Sequence, residues 1–174
     1  GAPAPGADAD LPYTPAAPKT QAALEELLAL AGGDARREQV LLHRTIATHH
    51  VKLREGNREK MFALLELLLD RFAGLASRAP APGTHLDALC SPLFSLCQML
   101  PMRASEHIKD RLSLLARLVN RRAGTSSKGA SATKAPAPGP PAGTARPPRA
   151  AELSCAELLM VKLLMGLYPT SDRR

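Results

Sequence analysis

Three kinds of side chain in this sequence have types and spacings that could do chemistry. His43, His49 and His50 gather near one helix end, with Lys52 and Arg54 following. A structural zinc ion would need further Cys, His or carboxylate ligands at short defined spacing, and Cys90, Cys97 and Cys155 lie elsewhere in the sequence. Histidines near a helix C-terminus are commonly just solvated, in a position the helix dipole favours. Cys97 with a distant His would make a nucleophilic pair, but its setting, "LFSLCQML", is apolar, whereas a reactive thiolate needs a polarising, partly exposed site. It reads as a small buried hydrophobe. Glu66 and Asp70, at i and i+4, have the spacing of an acid and a base. On an outer helix face they instead keep the helix soluble and pair with Arg71 or other cations. No GxSxG, HExxH, GxxxxGK[ST] or CxxC occurs, and the residues call for neither an enzyme nor a cofactor.

The remaining chemistry is that of anions. His49, His50, Lys52, Arg54, Arg58 and Lys60 form a basic run, and Lys52, Arg54, Arg58 and Lys60 are the candidate contacts to RNA phosphates. The first amides of the helix that follows would add donors to the same anion. The plainer alternative is an ordinary solvated turn, offset by Glu55 and Glu59, and no aromatic platform for base stacking accompanies the run. Arg117, Arg121 and Arg122 are cations at a helix end, where the dipole already favours them. "YPTSD" at 168–172 offers hydroxyls for phosphorylation or docking, but reads more simply as a proline stop and a cap for another helix. With the chain ending there, the sequence reads as a piece of a longer protein.

Helices must position these groups. Leu and Ala abound, aromatic residues make up 3% of the 174 and Trp is absent, a balance that favours helix over strand. The expected fold is all-α: six helices stacked as hairpins of the HEAT or armadillo kind, or an irregular helical bundle. Residues 1–18, rich in Pro, Ala and Gly, read as a disordered lead, and 19–122 as the helical domain. Gly32 and Gly33 stop the first helix, and Asp34 caps the second. Asn57 is the expected N-cap of the third, whose inward face is Met61, Leu64, Leu65, Leu68 and Phe72, widened by Leu67 and Leu69. Thr84 with Asp87 resembles a capping box for the fourth, which carries Leu86, Leu89, Leu93, Phe94, Leu96, Cys97 and Leu100 and contains Pro92. Pro101 reads as its end, and the fifth helix as Ser105 to about Arg122. Residues 123–150 are too poor in apolar side chains for a core and read as a flexible insert. Ser154 to Glu157 is a full capping box that opens a returning helix within 151–174.

Net charge is +7 with a pI near 9.8, which permits an acidic partner such as RNA. Lys128, Lys134, Arg146 and Arg149 in the insert account for +4 of this, leaving the helical part mildly basic. Cys90 and Cys97 on one helix would lie roughly 10 Å apart, beyond disulfide reach. An odd cysteine count points to a reducing compartment. The most apolar stretch, 153–168, contains Glu157 and Lys162 and is shorter than the ~20 residues of a membrane span.

Three stretches in order resemble the nucleolar protein 14 family of ribosome assembly factors. "LREGNREKM" is similar to its Glu-Gly-Asn-Lys/Arg-x-Lys helix opening, "LCQMLPMRASEHIKDRL" to its Leu-Cys-Gln-Met segment, and "LLMVKLLMGLYPTSD" to its leucine-rich helix ending in Phe-Pro-Thr-Ser-Asp. The resemblance spans about 39–172. It implies a nucleolar, non-catalytic α-helical scaffold of the small-subunit processome, needed for pre-rRNA processing and maturation of small-subunit rRNA. The partners it implies are a nucleolar-complex protein, an rRNA methyltransferase-like factor, pre-rRNA and the U3 small nucleolar RNP. A stand-alone basic RNA-binding protein that contacts phosphates without sequence specificity is the alternative.

Overall fold

The computed structural model describes residues 10–127 and 154–167, with side chains to residue 121 in the first stretch. Residues 1–9, most of the expected insert and the "YPTSD" turn lie outside the described residues, as does the side chain of Arg122. Among the described residues there are six helices and no strand: α1 (Gln21–Ala29), α2 (Ala35–Thr48), α3 (Asn57–Ala76), α4 (Gly83–Met99), α5 (Pro101–Ser127) and α6 (Cys155–Leu167). Their principal contacts run within the pairs α1/α2, α3/α4 and α5/α6 or between adjacent pairs, the neighbour-to-neighbour pattern of stacked hairpins.

Local chemistry sets most of the helix ends. Thr20 caps α1 by accepting from the Ala23 amide, and Asp34 caps α2 by accepting from the amides of Arg36 (2.8 Å) and Arg37 (3.4 Å). Between them Gly32 and Gly33 take φ of 66° and 81°, a left-handed backbone that glycine adopts without penalty. The capping box at α6 forms as expected, with the Ser154 amide donating to Glu157 Oε2 and the Glu157 amide donating to Ser154 Oγ.

Four expected boundaries differ. Gly56, not Asn57, precedes α3; Asn57 is its first residue, buried, with its amide group turned back to donate to the His50 carbonyl at 3.2 Å. Closing the turn offers Asn57 a buried partner that a capping role would not. Helix α4 begins at Gly83 after Pro82 with no side-chain cap, so Thr84 lies inside its first turn and Pro92 is buried in its interior. Pro101 opens α5 rather than simply ending α4, since the first helical position needs no amide donor. Helix α5 also runs on to Ser127, which takes five residues from the insert.

Helix α3 is the centre of the core. Met61, Leu64, Leu65, Leu68 and Leu69 are fully buried and Phe72 nearly so, with Leu67 half-buried at the margin. They pack with Leu89, Leu93 and Leu96 of α4 and Leu164 of α6. Phe94, expected on the inner face of α4, is 45% exposed instead. The lead also departs from the expected disorder in its described part. Leu11 is buried with Ala31 and Leu41, Ala17 packs on the main core, and the Arg44 guanidinium donates to the carbonyls of Leu11 (2.8 Å) and Pro12 (3.3 Å) while lying over Tyr13. Two carbonyls and a ring held by one side chain give the segment a partner that its composition does not announce.

Candidate nucleic-acid interface

The basic run forms the connection between α2 and α3. His49 ends α2, its amide donating to the Thr45 carbonyl; Leu53 N–H donates to the His50 carbonyl, and Lys52 N–H to His50 Nδ1. The Asn57 amide donates to Arg54 and the Arg58 amide to Glu55, so two of the α3 donors expected to meet an anion already close the turn. What this turn leaves open is a cleft of about 240 Å³ lined by Thr48, His49, Leu53, Arg54, Asn57 and Lys60.

The four candidate cations therefore divide. Arg54 and Lys60 face one cleft, with His49 between the helices beside them. Lys52 lines a different hollow, shared with His50 and with Ser95 and Gln98 of α4. Arg58 is exposed and lines neither. None of the four forms an ion pair with a described residue. Glu59, expected to offset them, is drawn to α5, where Arg103 Nη1 donates to its Oε1 at 2.6 Å. Of the two expected counter-charges, Glu55 stays exposed in the turn while Glu59 is held by Arg103.

Other candidates disperse. His43 is half-buried against α4, within hydrogen-bonding distance of Ser91 Oγ at 3.1 Å, and burial lowers its pKa below the ordinary histidine value. Among the described residues no three His, Cys, Asp or Glu side chains gather as metal ligands. Cys97 is in the core, and the Cys90 thiol is pushed up by burial and then by the charge of Asp87. Glu66 and Asp70 do not pair with Arg71. They face α5, opposite His107 and Arg111.

Two polar junctions escaped the sequence reading. Along α3 and α5, Glu59, Glu66 and Asp70 meet Arg103, His107 and Arg111 in ascending order, which sets the two helices parallel there. Phe62 lies between, with the Arg103 guanidinium 4.3 Å from its ring centre and His107 edge-on. Glu38, buried on α2, accepts from Arg71 of α3 at 3.3 Å and lies 3.2 Å from His85 Nδ1 of α4. The signal for the first junction was the i, i+4 recurrence of Arg103, His107 and Arg111.

Comparison with known proteins adds what geometry cannot. The model of the Nop14-like family matches residues 2–174. The chain belongs to the Nop14-like family. Nucleolar protein 14 of Homo sapiens is 41% identical over 101 residues, which cover 58% of this chain and 11% of that protein. Nucleolar protein 14 of Mus musculus is 37% identical over 102 residues, 58% of this chain and 12% of that protein. This member thus spans about a tenth of the length of these relatives, and no solved structure gives a significant match. Among its described residues no Nop14-like helix is long and apolar enough to cross a membrane.

Proposed function

We propose that this chain is a non-catalytic scaffold element in nucleolar ribosome biogenesis, acting within the small-subunit processome during pre-rRNA processing and maturation of small-subunit rRNA. The observation that carries this reading is family membership over residues 2–174, with relatives named for the nucleolus. The helical body supports it: its buried surface is given to holding helices together, and its polar side chains to bridging them. In this role the chain presents surfaces to assembly proteins, among them a nucleolar-complex partner and an rRNA methyltransferase-like factor, and lies near pre-rRNA and the U3 small nucleolar RNP.

The cleft at Arg54 and Lys60 favours a second element, direct contact with RNA phosphates, because its cations have no carboxylate of their own among the described residues. Lys52 and Arg58 extend that field on either side without sharing the cleft. Affinity capture of the tagged protein from nuclear extract, with and without RNase, tests the scaffold. Precursor rRNA with assembly proteins that survive RNase supports it, and loss of every partner after RNase refutes it in favour of a stand-alone RNA-binding protein. For the cleft, Arg54→Ala with Lys60→Ala should reduce the slope of log affinity for single-stranded RNA against log salt by about 1.4, at roughly 0.7 per phosphate contact. An unchanged slope would remove these two residues from the interface.

A further inference from the structure

The second half of α5 carries a surface that the fold itself does not use. Leu114 is 55% exposed and Leu118 43%, one helical turn apart. Arg117 and Arg121, also exposed, have the same spacing and follow each leucine by three residues. Spacings of three and four place side chains on adjoining positions of a helix surface, so a row of two leucines lies beside a row of two arginines. Among the described residues neither arginine has an acidic partner.

The first half of the same helix shows what such a row takes. Arg103, His107 and Arg111 are met by Glu59, Glu66 and Asp70 of α3, with Phe62 among them. Asp70 is the last acid of α3. Continuing the parallel register by four places Gly74 at the level of Leu115, and α3 ends at Ala76, so it supplies neither cover nor charge to the next turn. The stretches outside the described residues hold few acids for this row. Residues 1–9, 128–153 and 168–174 contain one acid each, Asp8, Glu152 and Asp172.

We propose that the outer face of α5 from Leu114 to Arg121 docks an amphipathic helix of a protein partner, one that presents apolar side chains beside a row of Asp or Glu. The leucines supply the buried area and the arginines fix orientation and exclude basic partners. RNA would satisfy the arginines but leave the leucines in water. A second copy of the chain would bring further arginines to the same row.

The test uses the full chain, a synthetic helical peptide with leucines at i, i+3, i+4 and i+7 flanked by glutamates, the same peptide flanked by lysines, and a single-stranded RNA oligonucleotide, all by fluorescence anisotropy. The glutamate peptide should bind at least about tenfold more tightly than the lysine peptide, and Leu114→Ser with Leu118→Ser should weaken it by about tenfold or more. Both leucines are surface residues, so helicity by circular dichroism should be unchanged. Arg117→Glu with Arg121→Glu should reverse the preference between the two peptides, a result that loss of folding cannot produce. Equal binding of the peptides, indifference to both pairs of substitutions, response to RNA alone, or self-association abolished by the leucine substitutions would each overturn the proposal.

Discussion

Replacing Glu38 by alanine should destabilise the protein by about 3 kcal/mol, more than any exposed ion pair in the molecule could account for. Its side chain is 5% exposed and its two oxygens serve two different helices, Oε1 meeting Arg71 of α3 and Oε2 meeting His85 of α4. Exposed pairs contribute about 0 to 1 kcal/mol, whereas removing one member of a buried pair costs about 3 to 5, because the other charge is left without compensation. The lower end applies here, since Arg71 and His85 retain 18% and 26% exposure and keep some access to water. Arg71 Nε is already buried with no hydrogen-bond partner, so the guanidinium has little else to turn to. With an unfolding entropy of about 2 cal/mol/K per residue, 3 kcal/mol corresponds to a fall in Tm of roughly 10 °C. The assay is thermal unfolding of the wild type, Glu38→Ala, Arg71→Ala and the double variant. A coupling energy above about 1 kcal/mol is expected, and effects that add within about 0.5 kcal/mol would refute the idea that this carboxylate ties α2 to α3.

Three further outcomes follow from packing, capping and burial. Leu64→Ala, at the fully buried centre of α3, should cost between about 2 and 5 kcal/mol in urea unfolding with little change in slope. Asp34→Ala should cost about 1 kcal/mol through loss of the α2 cap, and Asp34→Asn should restore most of it. Because burial lowers the folded pKa of His43, the unfolded chain binds the proton more readily. The stability this confers is complete above the ordinary histidine pKa and is lost as pH falls through the lowered value. Thermal scans at neutral and mildly acidic pH should therefore show a smaller loss in His43→Gln than in the wild type; an equal loss would mean that His43 does not contribute to the acid response.

Helical periodicity carried the core well. The α3 face from Met61 to Phe72 was legible because several leucines at spacings of three and four admit only one inward direction. Asp34 and the Ser154 to Glu157 box were legible because their partners are two or three residues away. Features that depended on distant partners were not. Asn57 has the chemistry of a cap, and only the return of the chain to His50 gave it another use. Leu11 and Tyr13 sit in a proline-rich lead, and partners distant in sequence, Ala31 and Leu41 for Leu11 and Arg44 for both, give that segment a place.

The carboxylates of α3 show why this limit is physical rather than statistical. Glu66 and Asp70 at i, i+4 have the spacing of a solvated helix face, and that is how their sequence reads. The same spacing is required of a row that meets a second helix of the same pitch, because Arg103, His107 and Arg111 recur at that interval too. One sequence pattern therefore supports two placements that differ in whether α5 lies alongside. The parallel placement of α5 against α3 decides between them, and it also decides which charges remain for a partner. It draws Glu59 toward Arg103, leaving Glu55 as the carboxylate of the basic turn and Arg54 and Lys60 without an ion pair to a described residue, and it ends at Asp70, leaving Arg117 and Arg121 with no acidic partner among the described residues. A Glu59→Gln substitution should accordingly leave RNA affinity at the turn nearly unchanged, whereas a solvated turn with Glu59 as its counter-charge would bind RNA more tightly once that charge was removed.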